Sequence, residues 1–503
     1  MKGKVYLVGA GPGDYKLMTL KGLEVIKKAD LIYYDRLVNP AYLKEAKEGC
    51  RLIYVGKESS NHTLPQEEIN KTLAAGAKEG KLVVRLKGGD PYVFGRGGEE
   101  GEILYEEGVE FEVIPGITSA IGGLCYAGIP ITHREYASSF HVFTGHLKDP
   151  DRSLDWSTIS ALKGTLVFLM GVSNLQIIAE KLAEYGKDGN TPAAVINWGT
   201  CPNQKVVTGN LENIYERAVE EELQSPCLIV VGDVVSLREK LNFFERSPLF
   251  GKNIIVTRAR EQSSTLLQKI SELGGNGIEV PAIKIKKVET NEELEEAIAN
   301  LDTYSYVIFT SVNGVDIFFE KLSEMGRDSR ALYTCRIAVI GSATAEALEK
   351  YGLKPDIIPK RFVSEDLVEG MKSILGYEDR ILIPRAREAR RYLSEELSNI
   401  CTVNEISTYD TVIDESGRES LLQSLKDGIV DYITFTSSST VNNFIQLLGK
   451  ANMGLLEGVK LISIGPVTSS ALTGYGLKVY REAEEYTIDG VIKCITEDKI
   501  DNC

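Results

Sequence analysis

Three segments in the second half of this chain return, in the same order, about 125 residues later, and a repeat of that kind restricts the fold more than any single motif. VTRAR at 256 returns as IPRAR at 383, FTSVNGVDIFF at 309 as FTSSSTVNNFI at 435, and IAVIGSATAEALEKYGLK at 337 as LISIGPVTSSALTGYGLK at 461. The repeat predicts two similar α/β lobes, each with an Arg loop, a Thr-Ser loop and a G-x-x-T loop at strand ends. Around it, short apolar runs such as KVYLVGA, KLVVRLKGG, TLVFLMG, PCLIVVGD, YVIFTS and YITFTS alternate with helical stretches from end to end. That alternation implies layered α/β structure with mostly parallel sheets. A length of 503 residues predicts about three to four compact units. The charged stretch LREKLNFFERSPLFGKN, 237 to 253, reads as the junction between a Gly-rich first half and the repeated second half.

Charge and composition narrow the function. The net charge is −15 with no long basic run, which argues against nucleic-acid or anionic-membrane partners. No apolar run approaches the ~18 residues of a membrane span. The opening MKGKVYLVGAGPGD is broken by Gly and Pro and reads as a strand entering a loop, not a leader. The eight cysteines form no CxxC pair and the four histidines no cluster. They point to reduced thiols in a cytoplasmic protein and to no metal.

Three loops carry chemistry. VGAGPGD, 8 to 14, begins a dinucleotide fingerprint, but Asp14 stands where the third glycine belongs, so a nicotinamide dehydrogenase is one alternative. VVRLKGGDPYVFGRGGEE, 83 to 100, has Gly88 and Gly89 to admit a ligand to the backbone, then Asp90 and Pro91 to fix a turn. IPGITSAIGGLCYAGIPITHR, 114 to 134, opens a helix of small residues with Thr118 and Ser119. In the second half, Arg, Ser and Thr at strand-to-helix joints suit carboxylates or phosphates, and equally suit plain helix capping.

Taken together, VGAGPGD, TLKGLEVIKKAD, YDRLV, VVRLKGGDP, VFGRGGEE, PGITSA, YAGIPITHR and FLMG, in this order, resemble the uroporphyrinogen-III C-methyltransferases of the tetrapyrrole methylase family over about residues 4 to 235. FTSVNGV, the Arg and G-x-x-T loops and STYDT resemble uroporphyrinogen-III synthase over about 251 to 495. The resemblance implies a methylase fold of two α/β domains with a cofactor cleft over 1–241, a linker at 242–250, and a two-lobed synthase fold over 251–503. It implies S-adenosylmethionine bound by Pro12, Gly88, Gly89, Asp90, Val93, Thr118, Ser119, Met170 and Gly199, with Asp35 and Lys57 as acid/base pair. NWGT at 197 carries Trp198 where this family more usually has a small or polar residue.

The implied substrates are hydroxymethylbilane, cyclised with inversion of its last pyrrole, and uroporphyrinogen III, methylated at carbons 2 and 7 to precorrin-2 for cobalamin or sirohaem formation. Tyr409 of STYDT would assist departure of the bilane hydroxyl. The eight carboxylates of uroporphyrinogen need cations, for which Arg36, Arg85, Arg96, His133 and Arg134 are the candidates. Arg258, Thr310, Ser311, Ser342, Arg385, Ser437, Ser438 and Thr468 are the candidates in the second half. The methylase resemblance also implies a homodimer. The alternative to a second enzyme is a non-catalytic module that binds an anionic metabolite.

Overall fold

The computed structural model describes residues 3–56, 66–146, 154–257, 260–280, 283–359 and 364–497. It divides into two compact units, one formed by residues up to Lys252 with Ile270–Asn276, the other by the remainder.

The first unit contains two five-stranded sheets. Strands β1 (Lys4–Gly9), β2 (Leu31–Tyr34), β3 (Arg51–Tyr54), β4 (Leu82–Lys87) and β5 (Phe111–Ile114) lie in the order β3-β2-β4-β1-β5, all parallel. Their Val- and Leu-rich composition follows from burial on both faces. One face packs Leu7, Leu73 and Leu104, the other Val8, Ile26, Ile32 and Leu86. Because every strand runs the same way, the loops after β1, β2, β4 and β5 emerge at one carboxyl edge. Successive connections leave the central pair β1–β4 in opposite directions, and such a switch point opens a crevice for ligands.

The second sheet has β6 (Phe140–Thr144), β7 (Thr165–Leu169), β8 (Pro192–Asn197), β9 (Lys205–Asn210) and β10 (Cys227–Val231) in the order β6-β7-β10-β8-β9. Here the parallel expectation fails. Only β6–β7 is parallel, while β7–β10, β10–β8 and β8–β9 are antiparallel. A run such as CLIVV is buried throughout in either orientation, so its composition carries no strand direction. Since β10 opposes both β7 and β8, those two strands end at the same edge.

The residues 242–250, expected as a linker, are instead folded onto the first unit. Phe244 is buried, and its ring lies 4.8 Å from that of Tyr126. A Cβ on Gly128 would lie 2.6 Å from Asn242 Cα.

The second unit has strands β11 (Asn253–Val256), β12 (Asn276–Glu279), β13 (Ile283–Lys287), β14 (Tyr306–Phe309), β15 (Arg336–Val339), β16 (Arg380–Ala386), β17 (Thr402–Ile413), β18 (Tyr432–Phe435), β19 (Lys460–Ser463) and β20 (Arg481–Glu482). They form sheets β12-β11-β18-β19-β20 and β13-β17-β16-β14-β15. Two lobes are present, but they are not the two sequence copies. β11 from the first copy joins β18 and β19 from the second, and β16 from the second joins β14 and β15 from the first. The chain passes from one sheet to the other between β12 and β13 and returns after β17. Each lobe still has one loop of each kind, drawn from both copies.

Candidate functional site

At the carboxyl edge of the first sheet, three glycines bring three loops together. A Cβ on Gly9 would lie 2.5 Å from Gly116 N, and one on Gly116 would lie 2.2 Å from Gly89 O. Gly11 and Gly89 exchange backbone hydrogen bonds of 3.1 and 2.7 Å. Asp90 pins this junction, accepting from Gly116 N through Oδ2 at 3.0 Å and from Tyr92 N through Oδ1 at 2.8 Å. Gly89, at φ +68°, lies against the start of the next helix; Thr118 Cα and Ser119 N are 3.8 and 3.9 Å from where a Cβ would stand, ordinary contact distance. The result is a backbone cradle beside the start of helix Ser119–Tyr126, which Thr118 caps through Ala120 N. That helix is small because it is clamped: a Cβ on Gly122 would meet Pro12 Cγ at 2.7 Å, and one on Gly199 would meet Gly123 Cα at 3.0 Å. Pro12, Gly88, Gly89, Asp90, Thr118, Ser119 and Gly199 are therefore brought together. Val93 packs against the core beneath the same helix. Met170, half-exposed, stands after β7 at the edge shared with the β8 turn.

Backbone strain marks the same loops. Among the described residues, the non-glycine positions with positive φ are Phe94, Arg96, Met170, Trp198, Thr200 and Glu222. All but Glu222 lie in the motif loops or at the ends of β7 and β8. Such conformations cost of order 1–3 kcal/mol and persist where surroundings enforce them, most often at ligand sites. Phe94, Trp198 and Thr200 were not expected as site residues; nothing in their identity announces the φ they adopt.

Asp35 follows β2 at the cradle's margin. Its Oδ2 meets Arg85 Nη2 at 3.1 Å and its Oδ1 accepts from Gly88 N at 3.4 Å. This corrects the role expected of Arg85. It is only 4% exposed, and its guanidinium is engaged by protein partners, also contacting Glu100 Oε1 at 3.2 Å and the carbonyls of Tyr33 and Leu86. Lys87 joins the same Glu100 oxygen at 2.9 Å, as does Gln66 Nε2 at 3.0 Å. Glu100 is fully buried, and its Oε2 has no partner among the described residues. Burial, then the neighbouring Arg85, push the Lys87 ammonium below its usual range, opposed by Glu100. Lys57 lies outside the described residues.

Of the remaining cations, Arg96 is bound to Glu99 through Nε at 3.1 and 3.0 Å. His133 is half-buried and accepts from Glu135 N at 3.2 Å. Arg36 and Arg134 are exposed, with no ion pair among the described residues.

In the second unit, Tyr409 on β17 is 5% exposed, and its hydroxyl lies 2.9 Å from Ser311 Oγ. Ser311 caps helix Val312–Glu324 by accepting from Gly314 N at 3.1 Å. Arg385 pairs with Ser407 across the strands and Ala386 with Tyr409. Thr408 is thus an extra residue, a bulge that turns the end of β17 beside the Arg loop. Arg385 also departs from expectation. It is 2% exposed, with Nη1 on Glu405 at 3.1 Å and Nη2 on the Arg390 carbonyl at 2.7 Å. Its Nε has no partner among the described residues. It supports the bulge instead of presenting a free guanidinium to a carboxylate. Thr468 is likewise buried within its helix turn. Thr310 follows β14, and exposed Ser342 opens helix Ser342–Glu349 after β15, both on the sheet that carries Tyr409. Ser437 caps helix Ser438–Leu448 on the other sheet in a reciprocal capping box with Thr440. Arg258 lies outside the described residues. No cluster of three or more metal-ligating side chains occurs among the described residues.

Comparison with known proteins gives two family matches, tetrapyrrole (corrin/porphyrin) methylases over residues 4–215 and uroporphyrinogen-III synthase HemD over 264–493. The porphyrin biosynthesis protein HemD of Ruminiclostridium josui is 41% identical over 501 residues, 98% of each chain. The uroporphyrinogen-III C-methyltransferase of Bacillus subtilis (strain 168) is 42% identical over 379 residues, 74% of this chain and 77% of that one. Among solved structures, the uroporphyrin-III-C-methyltransferase of Thermus thermophilus aligns at 43% identity and a TM-score of 0.41, covering 47% of this chain and 98% of its own.

Proposed function

The chain belongs to the family that joins a tetrapyrrole methylase to a uroporphyrinogen-III synthase, and from that premise we propose how its two units act on one tetrapyrrole in sequence. The second unit closes hydroxymethylbilane to uroporphyrinogen III, inverting the last pyrrole. The first then methylates that product twice, to precorrin-2. The observation that carries this reading is the backbone cradle where Gly9, Gly89 and Gly116 meet, stapled by Asp90 and bordered by Asp35.

The donor assigned to the cradle is S-adenosylmethionine, which supplies an electrophilic methyl group when bound. The residues fit it: the Gly89 and Ser119 backbone suits its amino-acid and ribose groups, and half-exposed Met170 offers a soft apolar wall. Holding donor and acceptor in line is the main contribution, worth several kcal/mol of barrier lowering. Asp35, oriented by Arg85 and Gly88 N, takes the proton lost from the macrocycle. Proton transfer of this kind contributes about 10²–10⁴-fold. Lys57 is its proposed partner by resemblance. Arg36 and Arg134 receive the substrate carboxylates.

In the second unit the Tyr409 phenol, hydrogen-bonded to Ser311, passes its proton to the departing hydroxyl, which leaves as water. The electrophilic end so formed is attacked by the far pyrrole at its already substituted α-carbon. The ring's original methylene bond then breaks and re-forms at its free α-carbon, which inverts the ring, and the proton lost from that carbon restores the phenol. Backbone amides at the helix starts near Ser311, Ser342, Ser438 and Thr468 hold the carboxylates.

The test is a product assay with hydroxymethylbilane, with and without S-adenosylmethionine. Type III isomer without the donor and a dimethylated product with it are expected. Type I isomer alone, with supplied uroporphyrinogen III still methylated, would leave the second unit as a binding module. The assembly proposed is a cytoplasmic homodimer through the methylase unit, checked by light scattering.

A further inference from the structure

The segment leading out of the methylase unit is tied to the turn that Pro12, Gly13 and Asp14 form after β1. Thr200 sits on that turn: its Oγ1 accepts from Asp14 N at 3.1 Å. Thr200 is 2% exposed with φ +73°, so something must hold it there. Its own N–H donates to Gln204 Oε1 at 2.9 Å. Gln204, also buried, donates from Nε2 to the Tyr126 carbonyl at 3.2 Å and to Glu245 Oε1 at 3.0 Å. The other oxygen of Glu245 accepts from Arg238 at 2.6 Å and from Asn242 at 3.0 Å. Arg238 in turn donates to the Ala127 carbonyl at 2.6 Å. A second route converges on the same turn. The Tyr126 ring lies against Phe243 and Phe244, and its hydroxyl donates to Asp14 Oδ2 at 2.7 Å.

We propose that Glu245 is a positioning residue for the methyl donor: through Gln204 and Thr200 it fixes the Pro12–Asp14 turn that borders the cradle. Residues 238–250 are then part of the methylase site and not a passive connector. Gln204 is pinned on one side by a carboxylate and on the other by a strained amide. Freeing it lets Thr200 relax and moves Asp14 away from the geometry the donor needs. The inference rests on the cradle being the donor site.

The experiment is steady-state methylation by the full-length protein, varying S-adenosylmethionine and uroporphyrinogen III separately, with titration calorimetry of S-adenosylmethionine. Glu245→Ala is expected to raise KM and Kd for the donor about tenfold, the effect of one lost charge-assisted hydrogen bond, with kcat and the tetrapyrrole KM within about twofold. Gln204→Ala should do the same, and the double variant should add little to either, because both break one chain. Formation of uroporphyrinogen III from hydroxymethylbilane should stay at the wild-type rate. An unchanged donor KM in Glu245→Ala, or independent multiplication of the two effects, overturns the proposal. If Glu245→Ala does not fold, Glu245→Gln keeps the acceptor for Gln204 and loses only the charge facing Arg238. It should raise the donor KM about threefold, and no rise overturns the proposal equally. Asp90→Asn separates the two readings: if it leaves donor binding unchanged, the cradle assignment fails, whereas if it weakens binding and Glu245→Ala does not, only the role of Glu245 fails.

Discussion

Replacing Glu100 by Gln isolates the energetics beneath Asp35. The wild-type carboxylate is fully buried and shared by Arg85 at 3.2 Å and Lys87 at 2.9 Å. The substitution keeps size and shape but removes the charge that both cations face. Arg85 retains Asp35 and two carbonyls, so Lys87 is the group left stranded. Breaking a buried ion pair from one side costs about 3–5 kcal/mol. The surviving partners of Arg85 place this case near the lower bound, about 3 kcal/mol at pH 7.

The loss must depend on pH. Lys87 already titrates below its ordinary value, through burial and Arg85, and losing the opposing influence of Glu100 lowers it further. The unfolded chain then binds more protons than the folded one across a wider window below the ordinary lysine value. Stability rises with pH through such a window. The variant's deficit is therefore largest near neutrality and shrinks as pH approaches about 10. Urea unfolding followed by tryptophan fluorescence reads this directly, because Trp156 and Trp198 are the only two tryptophans and both precede Lys252. Adding Lys87→Met should recover most of the loss by removing the stranded charge. A deficit below about 1 kcal/mol at pH 7, or one that does not change with pH, would refute this account of the network.

Other outcomes rest on the same geometry. Gly116→Ala should abolish donor binding and lower stability by more than about 3 kcal/mol, since its Cβ would lie 2.2 Å from Gly89 O; calorimetry and urea melts check both. Tyr409→Phe should cut type III formation by about 10²-fold or more while methylation of supplied uroporphyrinogen III is kept, read by isomer analysis of the products. Arg36→Ala should raise the tetrapyrrole KM in a salt-dependent way, whereas Arg85→Ala should lower kcat through Asp35; kinetics at two ionic strengths separate them. Burial pushes the Cys201 thiol up to about 11, so it should resist a thiol reagent at pH 8 that modifies exposed Cys125, as peptide mass mapping would report.

The legible parts of this protein are those in which sequence and contact are the same fact. Gly9, Gly89 and Gly116 are glycines because backbones touch there, so the motif loops can be read without coordinates. Arg85 misleads for an equally physical reason. In VVRLKGG a cation on alternate positions looks like a solvent-facing row, and only the position of β4 inside a sheet covered on both faces buries it. The usable signal is that a cation within a central strand requires a buried carboxylate, and GRGGEE supplies Glu100 thirteen residues after Lys87. Strand direction in the second sheet is illegible because a fully apolar strand has no face to reveal it. The positive φ of Trp198 and Thr200 is illegible because only the β8–β9 turn and its hydrogen bonds impose it.

The crossed repeat shows why matching segments locate the right loops yet give the wrong partners. A repeat specifies the loop after each strand, and the strand-to-helix loop chemistry survives wherever that strand is placed. It does not specify which sheet the strand enters, because β11 and β16 each present a short apolar run that pairs in parallel with its neighbour. The consequence is chemical. Ser311 comes from the first copy and Tyr409 from the second, and they meet because β16 and β17 joined the sheet of β14. Had each copy formed its own sheet, Tyr409 and Ser311 would have stood on different sheets. The hydrogen bond that orients the phenol is thus a product of the crossing, and the lobe containing Tyr409 needs strands from both copies.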